Sequence, residues 1–195
     1  MRVWSGALRS LAAAWTALAV LPTPACASGW VAEAGRLRHP ELGISLASAA
    51  ELAPRWERIQ VEGAQLAYRG PEGAVMSFLH ECGLRREASP RVAARQLLIG
   101  LERRRMLRDG ALQVAEAPGW LQQVEAVDEG RQAQLLTVTR MADDCREDWV
   151  LATSGPPGPA AAVFDAWWRS YRPRATGDAR RDGSAGRAAE RAEAP

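Results

Sequence analysis

The amino-acid sequence predicts an α+β domain in which a twisted antiparallel sheet is flanked by helices. Three observations lead there. Successive strand-like runs are joined by turns too short for anything but antiparallel pairing. A Ser-Pro helix start at Ser89-Pro90 interrupts those runs, and an aromatic helical stripe follows the last of them. The order strands, helix, strands, helix therefore runs along one chain of 195 residues, which is 47% hydrophobic and 25% charged and long enough for one sizeable core but short for two.

The elements follow in order. Leu37-Arg38-His39 and Gly43-Ile44-Ser45-Leu46 form a short pair, and Trp56 to Val61 is a strand turning at Glu62-Gly63. Gly-Pro-Glu-Gly at 70–73 is the clearest turn, because Pro71 presets its own backbone angle and glycine tolerates the special angles around it. It joins Gln65-Leu66-Ala67-Tyr68 to Ala74–Cys82 as a hairpin. After Ser89, the residues Ala94, Leu97, Leu98 and Leu101 recur at helical spacing, so a helix is expected to about Arg104. Arg103, Arg104 and Arg105 then stand at its C-terminus, where cations suit the dipole. Strands are expected at Ala111–Glu116, Leu121–Val127 (after Pro118-Gly119), Gln134–Met141 and Cys145–Thr153. Turns at Asp128-Glu129-Gly130-Arg131 and Asp143-Asp144 reverse the last two. Gly155-Pro156-Pro157-Gly158-Pro159 breaks the chain, and a helix begins near Ala160. Its residues Ala160, Phe164, Trp167 and Tyr171 share one face, and Pro173 ends it. Of the adjacent Trp167 and Trp168, about 100° apart on a helix, one enters the core and the other is free to form an exposed contact.

Residues 1–27 have the order of a secretory leader: Arg2 and Arg9, an apolar run from Leu11 to Leu21, Pro22 and Pro24, then the small residues Ala25-Cys26-Ala27. The apolar run is about half the roughly 20 residues a spanning helix needs. Cys26 after Thr-Pro-Ala also resembles a bacterial lipobox, although Thr23 stands where Leu is usual, so lipid modification of Cys26 is a second processing route. The domain then spans 30–173. The stretch 174–195 lacks large apolar residues and reads as a disordered tail.

Either route removes Cys26 from the pool and leaves Cys82 and Cys145, an even pair suited to an oxidising compartment. A disulfide between them closes a loop of roughly 60 residues, for which chain entropy allows about 4 kcal/mol. The competing reading is a metal site, since His80 and Cys82 share a strand face. Zinc normally takes three or four protein ligands and the chain has two histidines, so the disulfide is preferred.

Several function classes are excluded. All 25 basic residues are arginine, and against 23 acidic ones they give a net charge of +2, too little for strong nucleic-acid binding. Losing Arg2 and Arg9 with the leader brings the mature chain close to neutrality. A multi-span membrane protein is ruled out by composition, and no hydrolase, zincin, phosphate-loop, dinucleotide or C-x-x-C pattern occurs. No cofactor is therefore expected. His80 is the one histidine on a confident strand, as a ligand or general base, or else as a polar neighbour of the disulfide. Asp143, Asp144, Glu147 and Asp148 crowd the start of the last strand; they lack an EF-hand spacing and read as a solvated turn rather than a calcium site.

The runs His39–Leu46, Pro54-Arg55-Trp56, Gly63–Tyr68, Gly70–Ala74 and His80-Glu81-Cys82-Gly83, with Asp144-Cys145 and the aromatic helix Phe164–Tyr171, resemble uncharacterised exported proteins and lipoproteins of deltaproteobacterial type. The arrangement also looks like the wider Mog1/PsbP-like architecture. The resemblance covers about 140 residues. It implies a fold and an exported location, in the periplasm or anchored by lipid, but carries over no activity. Mog1 binds a small GTPase and PsbP supports photosystem II, and no residue here transfers either role. The expectation is a non-catalytic cell-envelope accessory or binding domain of unknown partner. The alternatives are a carrier of a small apolar ligand or lipid, and a hydrolase or metal-dependent enzyme using His80.

Overall fold

The computed structural model describes residues 29–83, 89–142 and 144–173. The expected leader with Cys26, Asp143 and the expected tail lie outside the described residues. The described residues form two antiparallel sheets and three short α-helices. The smaller sheet holds β1 (Val31–Glu33), β2 (Arg36–His39), β3 (Ile44–Ala47) and the closing strand β11 (Arg172–Pro173), in the order β1-β2-β3-β11. The larger has seven strands in the order β4-β5-β6-β10-β9-β8-β7. These are β4 (Glu57–Ile59), β5 (Leu66–Arg69), β6 (Val75–Glu81), β7 (Glu102–Val114), β8 (Ala117–Asp128), β9 (Arg131–Ala142) and β10 (Cys145–Thr153). The helices are α1 (Ala49–Leu52), α2 (Pro90–Gln96) and α3 (Gly158–Arg169).

The large sheet is apolar on both faces at its centre, so both must be covered. On one face Met76, Phe78, Trp149 and Leu151 pack with Phe164 and Trp167 of α3, with Tyr171, and with Trp30 and Leu46 of the small sheet. On the other, Leu79, Val124, Leu135 and Val150 meet Leu97, Leu98 and Leu101, which follow α2. Trp168 is buried together with Trp167, with the Arg169 guanidinium 4.3 Å from its ring centre, so neither indole forms the exposed contact the sequence allowed for.

α3 ends at Arg169, so Tyr171 lies beyond the helix and Pro173 pairs in β11, whereas the sequence predicts a helix running on to Pro173. Two further boundaries differ from expectation. α2 does start at Ser89-Pro90, where the Ser89 hydroxyl accepts from the Val92 amide at 3.3 Å, but it ends at Gln96 and not near Arg104. The chain turns at Gly100 (φ +94°) and enters β7. Leu97, Leu98 and Leu101 keep their burial in that turn, because a tight turn and a helix present similar i, i+3, i+4 spacing to the sheet. Arg103, Arg104 and Arg105 therefore begin an edge strand, at a bulge where Arg103 has φ +47°, and close no helix.

The second difference is at Pro118-Gly119, which lies inside β8 and is no break. Pairing of β8 with β9 begins only at Gly119, so the missing Pro118 N–H removes no ladder bond there. Gly119 is required by close approach, since a Cβ there would stand 3.0 Å from the Thr139 carbonyl oxygen.

The turn that replaces it is Ala115-Glu116, with φ +45° and +67°. Two residues between Val114 and Ala117 with both φ positive make the turn that matches sheet twist, normally built from Asn-Gly. Left-handed geometry strains an L side chain by roughly 1–2 kcal/mol per residue. The double substitution Ala115→Asn/Glu116→Gly should therefore raise stability by about 1 kcal/mol, read as a higher urea midpoint at unchanged slope.

Candidate functional site

The polar site is built by register across three adjacent strands. Glu147 of β10 lies directly opposite His80 of β6 on one side and Arg140 of β9 on the other. All three side chains point to the face that carries Trp149 and Leu151, because alternate residues of a strand share a face. Arg140 donates Nη1–H to Glu147 Oε2 at 2.8 Å, and the Tyr171 hydroxyl donates to Oε1 at 3.0 Å. The Arg140 Nε–H reaches the Val114 carbonyl at 3.1 Å. Arg140 and Glu147 are 8% and 4% exposed, so a guanidinium and a carboxylate are buried here only because each satisfies the other. Burial pushes the Glu147 carboxyl up. The His80 side chain, the Arg140 charge and hydrogen bonds from Arg140 and Tyr171 outweigh it and hold the acid below its ordinary value. The Tyr171 phenol is pushed well up, by burial first and then by the Glu147 charge.

His80 links this network to the cysteines. Its backbone is clamped by Gln65, whose side chain accepts from the His80 amide at 2.9 Å and donates to the His80 carbonyl at 3.2 Å. Nδ1 faces Glu147 Oε1 at 3.6 Å, and Nε2 lies 3.0 Å from Cys82 Sγ. Because Arg146 pairs with Glu81, the preceding Cys145 stands opposite the following Cys82, and their sulfurs are 1.97 Å apart, the distance of a disulfide. His80, Cys82 and Cys145 bring three ligand-type atoms within 4.8 Å, the arrangement the competing metal reading needs. Sulfurs bonded to each other are spent as metal donors, since a metal takes thiolates.

The acidic run at the start of β10 is not one solvated turn. Asp144 sits in the turn with Oδ1 3.6 Å from Cys145 Sγ, but Glu147 and Asp148 are buried on opposite faces of the sheet. Asp148 is paired with Arg146 and accepts from the Thr139 hydroxyl at 2.6 Å. Calcium would need these carboxylates to converge, and the strand's alternation drives them apart. Sequence reasoning missed Arg140 and Arg146, and read Tyr171 only as part of the aromatic face of the last helix. The available signal was a charged residue inside each strand, Arg140 near the end of β9 and Arg146 beside Glu147 and Asp148 at the start of β10.

A second feature lies at the opposite end of β10. A groove of about 520 Å³ runs between the loop before β4, the β5–β6 turn and the start of α3. Pro54, Trp56, Pro71, Pro156, Pro159 and Val163 line it, with Arg55 and Glu72 also on its walls. Prolines at the start of α3 supply rigid apolar walls and no amide donors. Gly70 backs Trp56 so closely that a Cβ would stand 2.7 Å from the indole.

No family model matches the chain, and no curated protein matches it. Solved structures do. The cyanobacterial PsbP (CyanoP) of Synechocystis sp. PCC 6803 superposes with a TM-score of 0.52 at 10% identity, over 73% of this chain and 95% of that one. A Pseudomonas aeruginosa protein of unknown function, PA94, gives 0.44 at 20% identity over 62% of this chain and 83% of that one. At such identities the likeness speaks for backbone architecture alone. The chain has an α+β, PsbP-like fold.

Proposed function

We propose that this chain is a non-catalytic accessory domain of the cell envelope that acts by binding a partner protein through the groove beside α3. The observation that carries the reading is the groove itself: a concave, mostly apolar surface of about 520 Å³ with a few polar groups on its walls. Small-molecule pockets have that size and make-up, and an apolar hollow of this kind also seats the anchoring side chain of a protein partner. The buried charges, by contrast, are matched pairwise inside the fold. Export is supported by the order of charged start, apolar run and small residues in 1–27, and by a cysteine pair at disulfide distance. Membrane attachment through a lipid on Cys26 belongs to the same proposal, as does kinship with exported proteins of deltaproteobacterial type. Among the described residues no helix is long and apolar enough to cross a membrane.

The same volume also suits a small apolar ligand, the carrier reading. The groove is partly open to solvent, whereas a carried acyl chain needs enclosure, and this favours a partner's side chains. A photo-crosslinking residue at Val163 should give one discrete adduct in the envelope fraction of the native host. The same residue at Val92, exposed on α2 over the other face of the large sheet, should give none. Absence of the Val163 adduct together with saturable binding of a fatty acid would favour the carrier. Absence of both overturns the groove as the binding site.

A further inference from the structure

We propose that Cys82 and Cys145 form a thiol–disulfide exchange site, with Cys82 as the exchanging sulfur, His80 as the group that stabilises its thiolate and Glu147 as the positioning residue behind His80. The inference goes beyond the binding role and is independent of the groove.

A purely structural crosslink needs only two sulfurs in reach. Here the surroundings of the two differ. Cys82 is exposed at the end of β6, open to an incoming thiol, while Cys145 is half-buried. Cys82 Sγ faces the His80 Nε2 at 3.0 Å, whereas Cys145 Sγ faces a carboxylate oxygen of Asp144 at 3.6 Å. An imidazolium favours a thiolate beside it and a carboxylate disfavours one. The pair is therefore polarised: after reduction the negative charge rests on the exposed sulfur.

The remaining charged groups around His80 support this. Glu147 lies against Nδ1 and is held in place by Arg140 and Tyr171, so the ring presents Nε2 to the sulfur. The Gln65 clamp fixes the backbone of the same residue. Glu81, the next residue along β6, points to the other face of the sheet by strand alternation. Cys, His and Glu thus stand in line as sulfur, imidazole and carboxylate, the order in which an activated thiol is usually supported.

The step balances with a thiol of the surroundings as reductant. A thiolate RS⁻ attacks Cys82 Sγ; the R–S–S–Cys82 bond forms, the Cys82–Cys145 bond breaks, and Cys145 leaves with the electron pair and takes a proton from solvent. A second thiolate attacks the R sulfur, RSSR is released, and Cys82 leaves as the thiolate facing His80. In net terms the protein pair gains two electrons and one proton, which goes to Cys145, Cys82 stays a thiolate, and two external thiolates become one disulfide. The substrate class is a thiol able to approach from solvent.

The test uses the full chain and reduced glutathione as probe. Samples equilibrated at graded glutathione ratios are quenched in acid, alkylated and weighed. The native chain should be half reduced within the glutathione range while still folded by circular dichroism. His80→Gln should need about tenfold more reducing conditions, the equivalent of one unit of thiolate stabilisation. A measurement on the native sequence alone makes the same point: in the reduced protein, iodoacetamide should label Cys82 before Cys145, at lower pH than it labels the urea-unfolded chain. The proposal is overturned if Cys82 follows the unfolded profile, if glutathione leaves the bond intact until the chain unfolds, or if the reduced protein takes up zinc stoichiometrically and both sulfurs become unreactive.

Discussion

Glu147→Ala should lower the unfolding free energy by about 3–5 kcal/mol, the usual consequence of leaving one member of a buried ion pair alone. At this domain size that corresponds to a fall in Tm of roughly 10 °C or more. The truncation strands the Arg140 guanidinium, 8% exposed, which keeps among the described residues the Val114 carbonyl, the Tyr171 hydroxyl at 3.5 Å and the Tyr171 ring. It also removes the acceptor of the Tyr171 hydroxyl. If the loss comes from the stranded charge, then Arg140→Met/Glu147→Leu should recover most of it, since apolar residues of similar volume replace such pairs well. A double variant as unstable as the single one would assign the loss to packing instead. The pH dependence carries a definite sign. The Glu147 carboxyl is held below its ordinary value of 4.5 in the folded chain. Its contribution is therefore complete above that ordinary value and is lost as pH falls further, through the folded value, because the unfolded chain takes up the proton at a higher pH than the folded chain does. Acid unfolding followed by tryptophan fluorescence should be shallower in Glu147→Gln than in the native sequence over that window.

How much of this was legible in the sequence depends on the range of the interaction. The hairpin at Gly70–Gly73, the Ser89-Pro90 helix start and the strand Cys145–Thr153 were readable because their signals are local: a turn dipeptide, a capping hydroxyl, a period of two. The end of α2 was not, because Leu97, Leu98 and Leu101 satisfy helix and turn spacing alike, and only the sheet they cover decides between them. The break placed at Pro118-Gly119 failed for the complementary reason. A proline is harmless in a strand where no neighbour asks for its N–H, and the register that decides this is not a local property. The polar site shows the limit most plainly. His80 was singled out on its strand, but its neighbours Glu147 and Arg140 lie 67 and 60 positions further along the sequence. They meet only because β10 is inserted between β6 and β9 in the sheet. Adjacent acids at 147 and 148 look like one charge cluster in the sequence. Strand alternation sends them to opposite faces, each toward its own arginine.

Trp149→Ala should have an effect of the same size, about 3–5 kcal/mol, for a different reason. Trp149 is fully buried in β10, with its ring 5.1 Å from Phe78 and 5.0 Å from Tyr171, where the whole of one sheet face meets the chain leaving α3. Removing the indole takes away its transfer free energy and leaves a cavity that two neighbouring strands cannot close. The phenylalanine variant should be far milder than lost area alone suggests. The Trp149 indole N–H is buried with no acceptor among the described residues, and such a group already costs about 1–3 kcal/mol. Trp149→Phe gives up part of the ring but also removes that unsatisfied donor, so its net destabilisation should stay below about 2 kcal/mol in urea unfolding at unchanged slope. Equal losses for Phe and Ala would mean that the N–H has a partner whose loss outweighs the ring volume that Phe retains. Combining Trp149→Ala with Glu147→Ala tests the connection between core and polar site. Tyr171 packs against the indole and donates to the carboxylate, so it is a shared neighbour of both. Once the indole is gone, the ring that orients the hydroxyl is no longer held, and the second truncation should cost less than it does alone. A sum within about 0.5 kcal/mol of the two separate losses would show that Tyr171 keeps its place without the indole. A shortfall of 1 kcal/mol or more would show that the aromatic face of the sheet is what holds the His80–Glu147–Arg140 row in line.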